Sequence, residues 1–409
     1  MKNKDDIWVT PYNMAEEVQE QFTLPERVKI HDVTLREVLQ CPRLCLRPEE
    51  KIRIAKALDK LGVYSIENGA YMSEMEKEVT VELVKMNKRG EIKAKIVPLA
   101  HHTEEDIDIA LETGADSVLI STNNNPYTIE NIFDISPEDA IKRLTRVTDY
   151  AKKNGLFVTA QIYDTYRTPL DYLERMHKSV VYDGGADSIA ISDTFSHVLP
   201  WTATYMVRKI KTWIPDAIIE HHGHNDFGLS TSMMAAAVAG GAEVVHTSIN
   251  CLGERAGNAA TEEVAMVLEL LMGVDTGINL EQIYPTAELI AQLTKMPIHP
   301  TKAVIGENIF LQGSGMIAWQ QFKLEKAGRP WYHFAFPPQT IGKDKLEIIL
   351  GVGCGRGIVE HKLTEMGMTA TREQMGEIAN RVKEEAYIRK WSVPDVQFLE
   401  IVKEVLEES

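Results

Sequence analysis

Residues 185–194 read GADSIAISDT, and residues 114–123 read GADSVLISTN. Each is a Gly-Ala-Asp-Ser tetrad running into alternating apolar and small residues, and Gly62-Val63-Tyr64-Ser65 and Gly241-Ala242-Glu243 are looser copies of the same lead-in. Glycine at such a point takes the left-handed conformation that ends a helix without a Cβ clash. Each copy therefore predicts a helix end followed at once by a strand.

Working outward, eight β-rich runs appear: VKIHDVTL (28–35), VYSIENG (63–69), AKIVPLA (94–100), SVLISTN (117–123), LFVTAQIY (156–163), SIAISDT (188–194), AIIEHHGH (217–224) and VVHTSIN (244–250). The segments between them, such as RPEEKIRIAKALDKLG and TEEDIDIALETG, carry apolar residues at helical spacings of three and four. Eight βα units closing by about residue 270 predict an α/β chain folded as a (β/α)8 TIM barrel rather than a doubly wound sheet. A helix is expected over 261–272, and beyond it the pattern changes. Residues 275–345 are rich in Pro, Gly and aromatics, and the segment from 358 onward is helical in pattern, with Thr369 or Thr371 as an N-cap. The expected organisation is an N-terminal extension (1–24), a catalytic barrel (25–272) and a smaller, mostly helical C-terminal subdomain (273–409).

Forty-four Lys and Arg against 60 Asp and Glu leave a formal charge of −16 over 409 residues. That balance repels phosphate backbones and anionic lipid, and no basic run offsets it, so neither nucleic acid nor membrane is an expected partner. Four cysteines, Cys41, Cys45, Cys251 and Cys354, are too few for a disulfide scaffold and suit a reducing compartment. With no apolar stretch of signal-peptide length at MKNKDDIWVTPYN, the expected location is the cytoplasm.

In this fold the functional groups sit at the C-terminal ends of the strands. Strand 7 ends His221-His222-Gly223-His224-Asn225-Asp226; His222 and His224 are two apart, so their rings share one face of an extended strand and can share one ion. Strand 1 supplies Asp32, Thr34, Arg36, Glu37 and Gln40. Glu37 completes a two-His-one-carboxylate set for a divalent metal that polarises a carbonyl, and Arg36 can hold a developing enolate oxygen. In the loop after strand 8, NCLGERAGNA, Asn258 can lend an amide oxygen to the metal or its water. Strand 6 ends with Thr194, placed to hydrogen-bond a substrate carboxylate.

HDVTLRE, HGHND and LGERAGNA, in that order and at those strand ends, resemble the metal-dependent TIM-barrel (DRE-TIM metallolyase) superfamily of 2-isopropylmalate, homocitrate and citramalate synthases and 3-hydroxy-3-methylglutaryl-CoA lyase. MPIHPTKAVIGENIF and GCGRGIVEHKL extend the similarity to about residue 365. The resemblance implies that Glu37, His222 and His224 bind the metal (Mg²⁺, Mn²⁺ or Zn²⁺) with Asn258 beside it. It implies that Arg36 and Gln40 contact the reacting oxygen and Thr194 the neighbouring carboxylate. The implied reaction is a Claisen-type condensation of an acyl-CoA, acetyl-CoA in most relatives, with a 2-oxo acid. The implied alternative is carbon–carbon cleavage of a 3-hydroxy acid or its CoA thioester.

The departures define what is unusual. Where the synthases carry Ser-Xaa-Glu-Asp after strand 5, this chain reads Gln161-Ile162-Tyr163-Asp164; where they carry Ser-Gly-Ile-His, it reads Ser314-Gly315-Met316-Ile317. Neither Tyr nor Ile accepts a proton near neutral pH. Tyr163 and Asp164 are therefore taken as catalytic candidates, with His101, His102 and His333 as further replacements. His101 and His102, after strand 3, stand where similar synthases grip substrate with an Arg, and with Arg167 they are assigned to substrate binding. Arg36 with Arg167 or Arg255 is expected to form a positive focus inside the acidic shell. No counterpart of the leucine-sensing domain of many 2-isopropylmalate synthases is expected, and the apolar 305–336 region is expected to pack across a homodimer as a lid. A catalytically silent barrel acting as a binding partner is the third possibility.

Overall fold

The computed structural model describes residues 9–123, 125–344 and 346–407. Its contacts divide into two compact units, one running Pro11–Ile298 and the other containing the chain from His299 onward.

The first unit is a closed barrel of eight parallel strands in sequence order: β1 Lys29–Asp32, β2 Ser65–Asn68, β3 Lys95–Ala100, β4 Ser117–Asn123, β5 Phe157–Tyr163, β6 Ser188–Asp193, β7 Ile218–Gly223 and β8 Val244–Thr247. β8 closes on β1 with Lys29 opposite Val244 and Asp32 opposite Thr247. All eight strands fall inside the runs expected from the sequence. Helices alternate with them, among them α1 Pro48–Leu61, α2 Glu74–Lys88, α3 Glu104–Glu112, α4 Pro137–Lys153, α5 Leu170–Lys178, α6 Pro200–Trp213 and α7 Ser230–Ala239.

The Gly-Ala-Asp repeat has a mechanical explanation. Gly62, Gly114, Gly185 and Gly241 all have positive φ, between 74° and 105°. The acid that follows clamps the bottom of the barrel: Asp187 accepts the Val158 N–H (2.7 Å) and both its oxygens accept from Lys152 at the end of α4 (2.8 and 2.7 Å). Glu243 does the same for the Ile219 N–H and for Lys211 on α6, both at 2.9 Å. The repeat is thus a stability device at the N-terminal face, away from the chemistry.

Apolar side chains such as Ile30, Ile66, Val158, Ile189, Ile219 and Val245 are fully buried on the helix-facing side of the strands. The inward positions alternate with them and are unusually polar for a barrel. Glu220 accepts from Thr159 (3.0 Å), Ser188 (2.6 Å) and His246 (2.7 Å), and His31 links Ser65 (2.7 Å) to Glu67 (2.9 Å). Burial alone would raise both carboxyls, but their partners hold Glu67 and Glu220 down at about 2, so both stay ionised.

The unit boundaries differ from the expected 25 and 272. Residues 11–24 belong to the barrel unit, where Thr23 N–H donates to Ala239 O (2.9 Å); residues 1–8 lie outside the described residues. The helix expected over 261–272 is α-helical only over Thr261–Met266 and continues as a wider π turn over Val267–Leu271. The following helix Ile283–Thr294 packs against α1 within the barrel unit.

The second unit contains helices Gly315–Lys326, Arg356–Glu365, Arg372–Arg389 and Asp395–Glu407. They bury their own core of Ile358, Val359, Ile378, Val382, Phe398 and Val402. Thr371, not Thr369, caps Arg372–Arg389 through a reciprocal bond with Gln374. Among the described residues no helix is long and apolar enough to cross a membrane.

Candidate active site

β1 stops at Asp32 because its carboxylate accepts both the N–H (2.9 Å) and the hydroxyl (3.1 Å) of Thr34, turning the chain into the helical turn Thr34–Glu37. Burial pushes the Asp32 carboxyl up to about 7 against those hydrogen bonds. The turn sets Arg36 and Glu37 side by side at the barrel mouth. The Arg36 guanidinium donates to Glu67, Glu37 and Gln40 (the last at 2.9 Å). Burial works to lower its affinity for the proton, but the Glu37 and Glu67 carboxylates outweigh that and hold it above its ordinary range. Arg36 is a fixed cation.

Along β7 and just past its end, Glu220, His222 and His224 alternate with His221, so His222 and His224 share the interior face as the period of two requires. Burial, then the neighbouring cations, hold both His222 and His224 below the usual range, keeping each ring neutral with a free lone pair. His221 points the other way. Burial pulls it down to about 3, and its Nε2 accepts from the Tyr166 hydroxyl (2.7 Å).

Ligand atoms of Glu37, His222 and His224 lie within 4.8 Å of one another, and all three residues are buried. The β8 loop folds over them: His224 bridges to Asn258, and Glu254 N–H donates to Glu37 Oε2 (3.2 Å). A divalent ion fits this set, because His222 Nε2 faces Glu37 Oε1 at 3.8 Å, room for an ion between them, and Oδ1 of Asn258 is buried with no hydrogen-bond partner. Gly253, at φ +151°, completes the cradle; a Cβ there would lie 2.2 Å from Asn258 Nδ2 and 2.8 Å from Glu37 Oε2. The loop also forces Asn250, Cys251 and Arg255 to positive φ (57° to 62°), strain typical of a site that a rigid scaffold holds in place.

A cavity of about 490 Å³ opens against these groups, with Arg36, Gln40, Tyr163, Thr194, His222 and His224 in its wall. The structure brings together most of the residues picked from sequence. His101 and His102 line the cavity too, while Asp164 and Arg167 do not. Asp164 turns away at φ +56°, accepting from Arg167 Nε (2.8 and 3.0 Å) and Asn125 (3.0 Å). That ion pair braces the β5 loop, outside the lining of this cavity. Burial raises the Tyr163 hydroxyl, and the nearby Glu254 carboxylate raises it further, so it stays protonated. Arg255 is engaged by Asp226 (3.0 and 3.1 Å) and Glu254 (3.1 Å). His333 lies in the second unit.

Two charged cavity residues were not singled out from sequence. Glu254 is the one carboxylate among the described residues lining the cavity, and Arg143 reaches it from α4. Glu254 sits inside the LGERAGNA motif and was legible there; nothing local marks Arg143.

The HMGL-like family profile matches residues 27–290. The chain is 37% identical over 369 residues to the 2-isopropylmalate synthase of Methanocaldococcus jannaschii, covering 89% of this chain and 69% of that one. It is 32% identical over 398 residues to the homocitrate synthase of Methanothermobacter thermautotrophicus, covering 97% and 98%, and 33% identical over 381 residues to the (R)-citramalate synthase of M. jannaschii, covering 92% and 74%. Among solved structures, the hydroxymethylglutaryl-CoA lyase of Pseudomonas aeruginosa matches 67% of this chain and 95% of its own at a TM-score of 0.57 and 20% identity, a likeness of fold. With the profile covering the barrel and the synthases aligned across most of its length, the chain belongs to the HMGL-like family of DRE-TIM metallolyases.

Proposed function

We propose that the protein condenses an acyl-CoA, acetyl-CoA by preference, with a 2-oxo acid and releases CoA by hydrolysis. The observation that carries this reading is the convergence of His222, His224 and the fixed guanidinium of Arg36 on one cavity, with Glu37 buried against the two histidines. Glu37, His222 and His224 would hold a divalent ion, with the Asn258 amide oxygen beside it; when bound, the ion polarises the ketone and offsets the charge that develops on its oxygen. Arg36 supplies the same service from the protein side, and because Glu67 and Gln40 pre-position it, no reorganisation is needed as charge develops. Thr194 orients the substrate carboxylate, using its hydroxyl hydrogen while its oxygen accepts the Asp164 N–H (2.9 Å).

Glu254 takes the proton from the acyl methyl carbon at a carboxylate oxygen, the task left open by Tyr163 and Ile317. The resulting carbanion attacks the ketone carbon, forming the new carbon–carbon bond as the C=O π pair moves to oxygen, and the tertiary alkoxide takes up the proton that Glu254 removed. Water then cleaves the thioester, giving a carboxylic acid and free CoA thiol. Tyr163, protonated in the cavity wall beside Glu254, donates to the thioester oxygen. The reverse direction, cleavage of a 3-hydroxy acid, draws on likeness of fold to the lyases and on the lost Glu and His.

Thiol release from acetyl-CoA across a panel of 2-oxo acids with Mg²⁺ or Mn²⁺ tests the reading. Turnover with at least one acceptor, lost in His222→Ala and reduced roughly 100-fold or more in Glu254→Gln, is the expected result. Silence across the panel, with acetyl-CoA or pyruvate formed from hydroxy acids instead, would overturn it in favour of cleavage.

A further inference from the structure

The cavity has a second charged pole. Arg143, on α4 after β4, and His101 and His102, after β3, all line it. In a closed barrel ordered β1 to β8, β4 stands diametrically opposite β8. The Glu37–His222–His224 set belongs to β1 and β7, and Asn258 to the loop after β8. Arg143 and His102 therefore occupy the far rim of the same mouth. They act electrostatically on each other, and neither is among the charges that shift His222, His224 or Arg36.

Arg143 is half-buried and lines the cavity, yet it makes no hydrogen bond or ion pair with any described residue. Every other cavity arginine is occupied: Arg36 has three partners. A guanidinium held out of bulk water without an acceptor is costly and suited to an incoming anion, which it can grip with two parallel N–H bonds. Leu99, Ile135, Ala140 and Leu144 give the same cavity an apolar belt, beside polar residues such as Ser121, Asn123 and Gln161. Two anion-binding poles and an apolar belt in one cavity fit a molecule with a hydrocarbon stem and a negative charge at each end.

Resting on the proposed condensation, we infer that the acceptor is a 2-oxo dicarboxylic acid whose distal carboxylate is held by Arg143, assisted by His102. The 2-oxo acid end reaches Thr194 and Arg36, and the methylene stem crosses the apolar belt. Arg143 is then a specificity residue outside the strand-end motifs.

The test is binding as well as turnover. Calorimetry with Mn²⁺ present should show 2-oxoglutarate or 2-oxoadipate binding at least about tenfold tighter than 2-oxoisovalerate or pyruvate, the difference made by one charge-assisted pair. Arg143→Gln should remove that preference, weakening the diacid roughly 10- to 100-fold while leaving the monoacids and the KM for acetyl-CoA unchanged. Thermal melting of the variant, expected to match the parent, separates this from misfolding. Equal binding of mono- and diacids by the parent overturns the inference, as does a variant whose loss falls on acetyl-CoA, which would place a CoA phosphate at Arg143. Turnover of monoacids alone would leave the condensation standing and sink this inference. Tight, Arg143-dependent diacid binding without thiol release would sink the condensation and leave this inference standing.

Discussion

Gly253→Ala isolates the proposed metal cradle without touching a ligand. The new Cβ would sit 2.2 Å from Asn258 Nδ2 and 2.8 Å from Glu37 Oε2. Ordinary contact begins near 3.4 Å, so the amide must retreat by about 1.2 Å and the carboxylate by about 0.6 Å. Site geometry tolerates displacements of about 0.5 Å, so at least one donor leaves its place. Misplacing a supporting group costs roughly 10- to 100-fold in metal affinity, or about 1.4 to 2.7 kcal/mol. The backbone, at φ +151°, adds about 1 to 3 kcal/mol of strain to the fold. Gly228→Ala is the matched control: its φ is +72°, but nothing lies within 4 Å of the added carbon. Both variants should melt lower than the parent, and only Gly253→Ala should bind Mn²⁺ more weakly by titration calorimetry. If it binds Mn²⁺ as tightly as the control, Glu37 and Asn258 do not share the ion.

Glu220→Gln should flatten the acid limb of the stability curve. The Glu220 carboxyl is held at about 2 against an ordinary 4.5, so its contribution is complete above about pH 4.5 and fades as pH falls towards 2; denaturant midpoints at pH 3 and pH 7 measure it. Asp32→Asn should act in the opposite window. Asp32 is raised from 3.8 to about 7, so its ionisation costs stability as pH rises through that range, and the variant should gain most relative to the parent at pH 8, unless the altered bonds to Thr34 dominate at every pH. Arg36→Lys should lower kcat roughly 100-fold or more while folding persists, since one ammonium cannot reach Glu67, Glu37 and Gln40 together; parental rates would refute its role. Met316 and Trp319 are 67% and 53% exposed, and if their segment pairs two chains as proposed, Trp319→Glu should shift the mass seen by light scattering from dimer to monomer.

The barrel was legible because its signals are local and repeated. Each strand is short and apolar on alternate residues, and β2, β4, β6 and β8 are each introduced by a glycine whose conformation ends the helix before it, so repeated independent readings agree. The metal candidates were legible for a related reason: His222 and His224 are separated by the strand period, and Arg36 and Glu37 are neighbours. Asp164 and Arg167 misled because their sequence position, at the end of β5, is correct for a site. Only the left-handed turn at Asp164 aims the pair away, and nothing in QIYDTYR announces a positive φ at an aspartate. Arg143 was invisible for the converse reason, as a helix residue among other charged helix residues. Its meaning arises only when barrel closure sets α4 over the mouth and leaves the guanidinium without a carboxylate. Local pattern reports elements well, but pairing across the barrel depends on closure.

The polar interior links these parts. A barrel filled with branched apolar residues would be more easily stabilised, because two buried carboxylates are costly unless fully paired. Here Glu67 and Glu220 are paired, through His31, Arg36, His246, Ser188 and Thr159, and the His31 and His246 rings meet at a tilt with centroids 4.4 Å apart to join the two halves. Glu67 is the hinge of the arrangement, since one of its oxygens faces His31 and the other holds Arg36. The network therefore carries positional order from the barrel floor to the guanidinium at its mouth. A hydrophobic core could support the strands equally well, but it would hold nothing against the guanidinium from below, and Arg36 would lose the Glu67 contact that fixes it beside Glu37 at the barrel mouth.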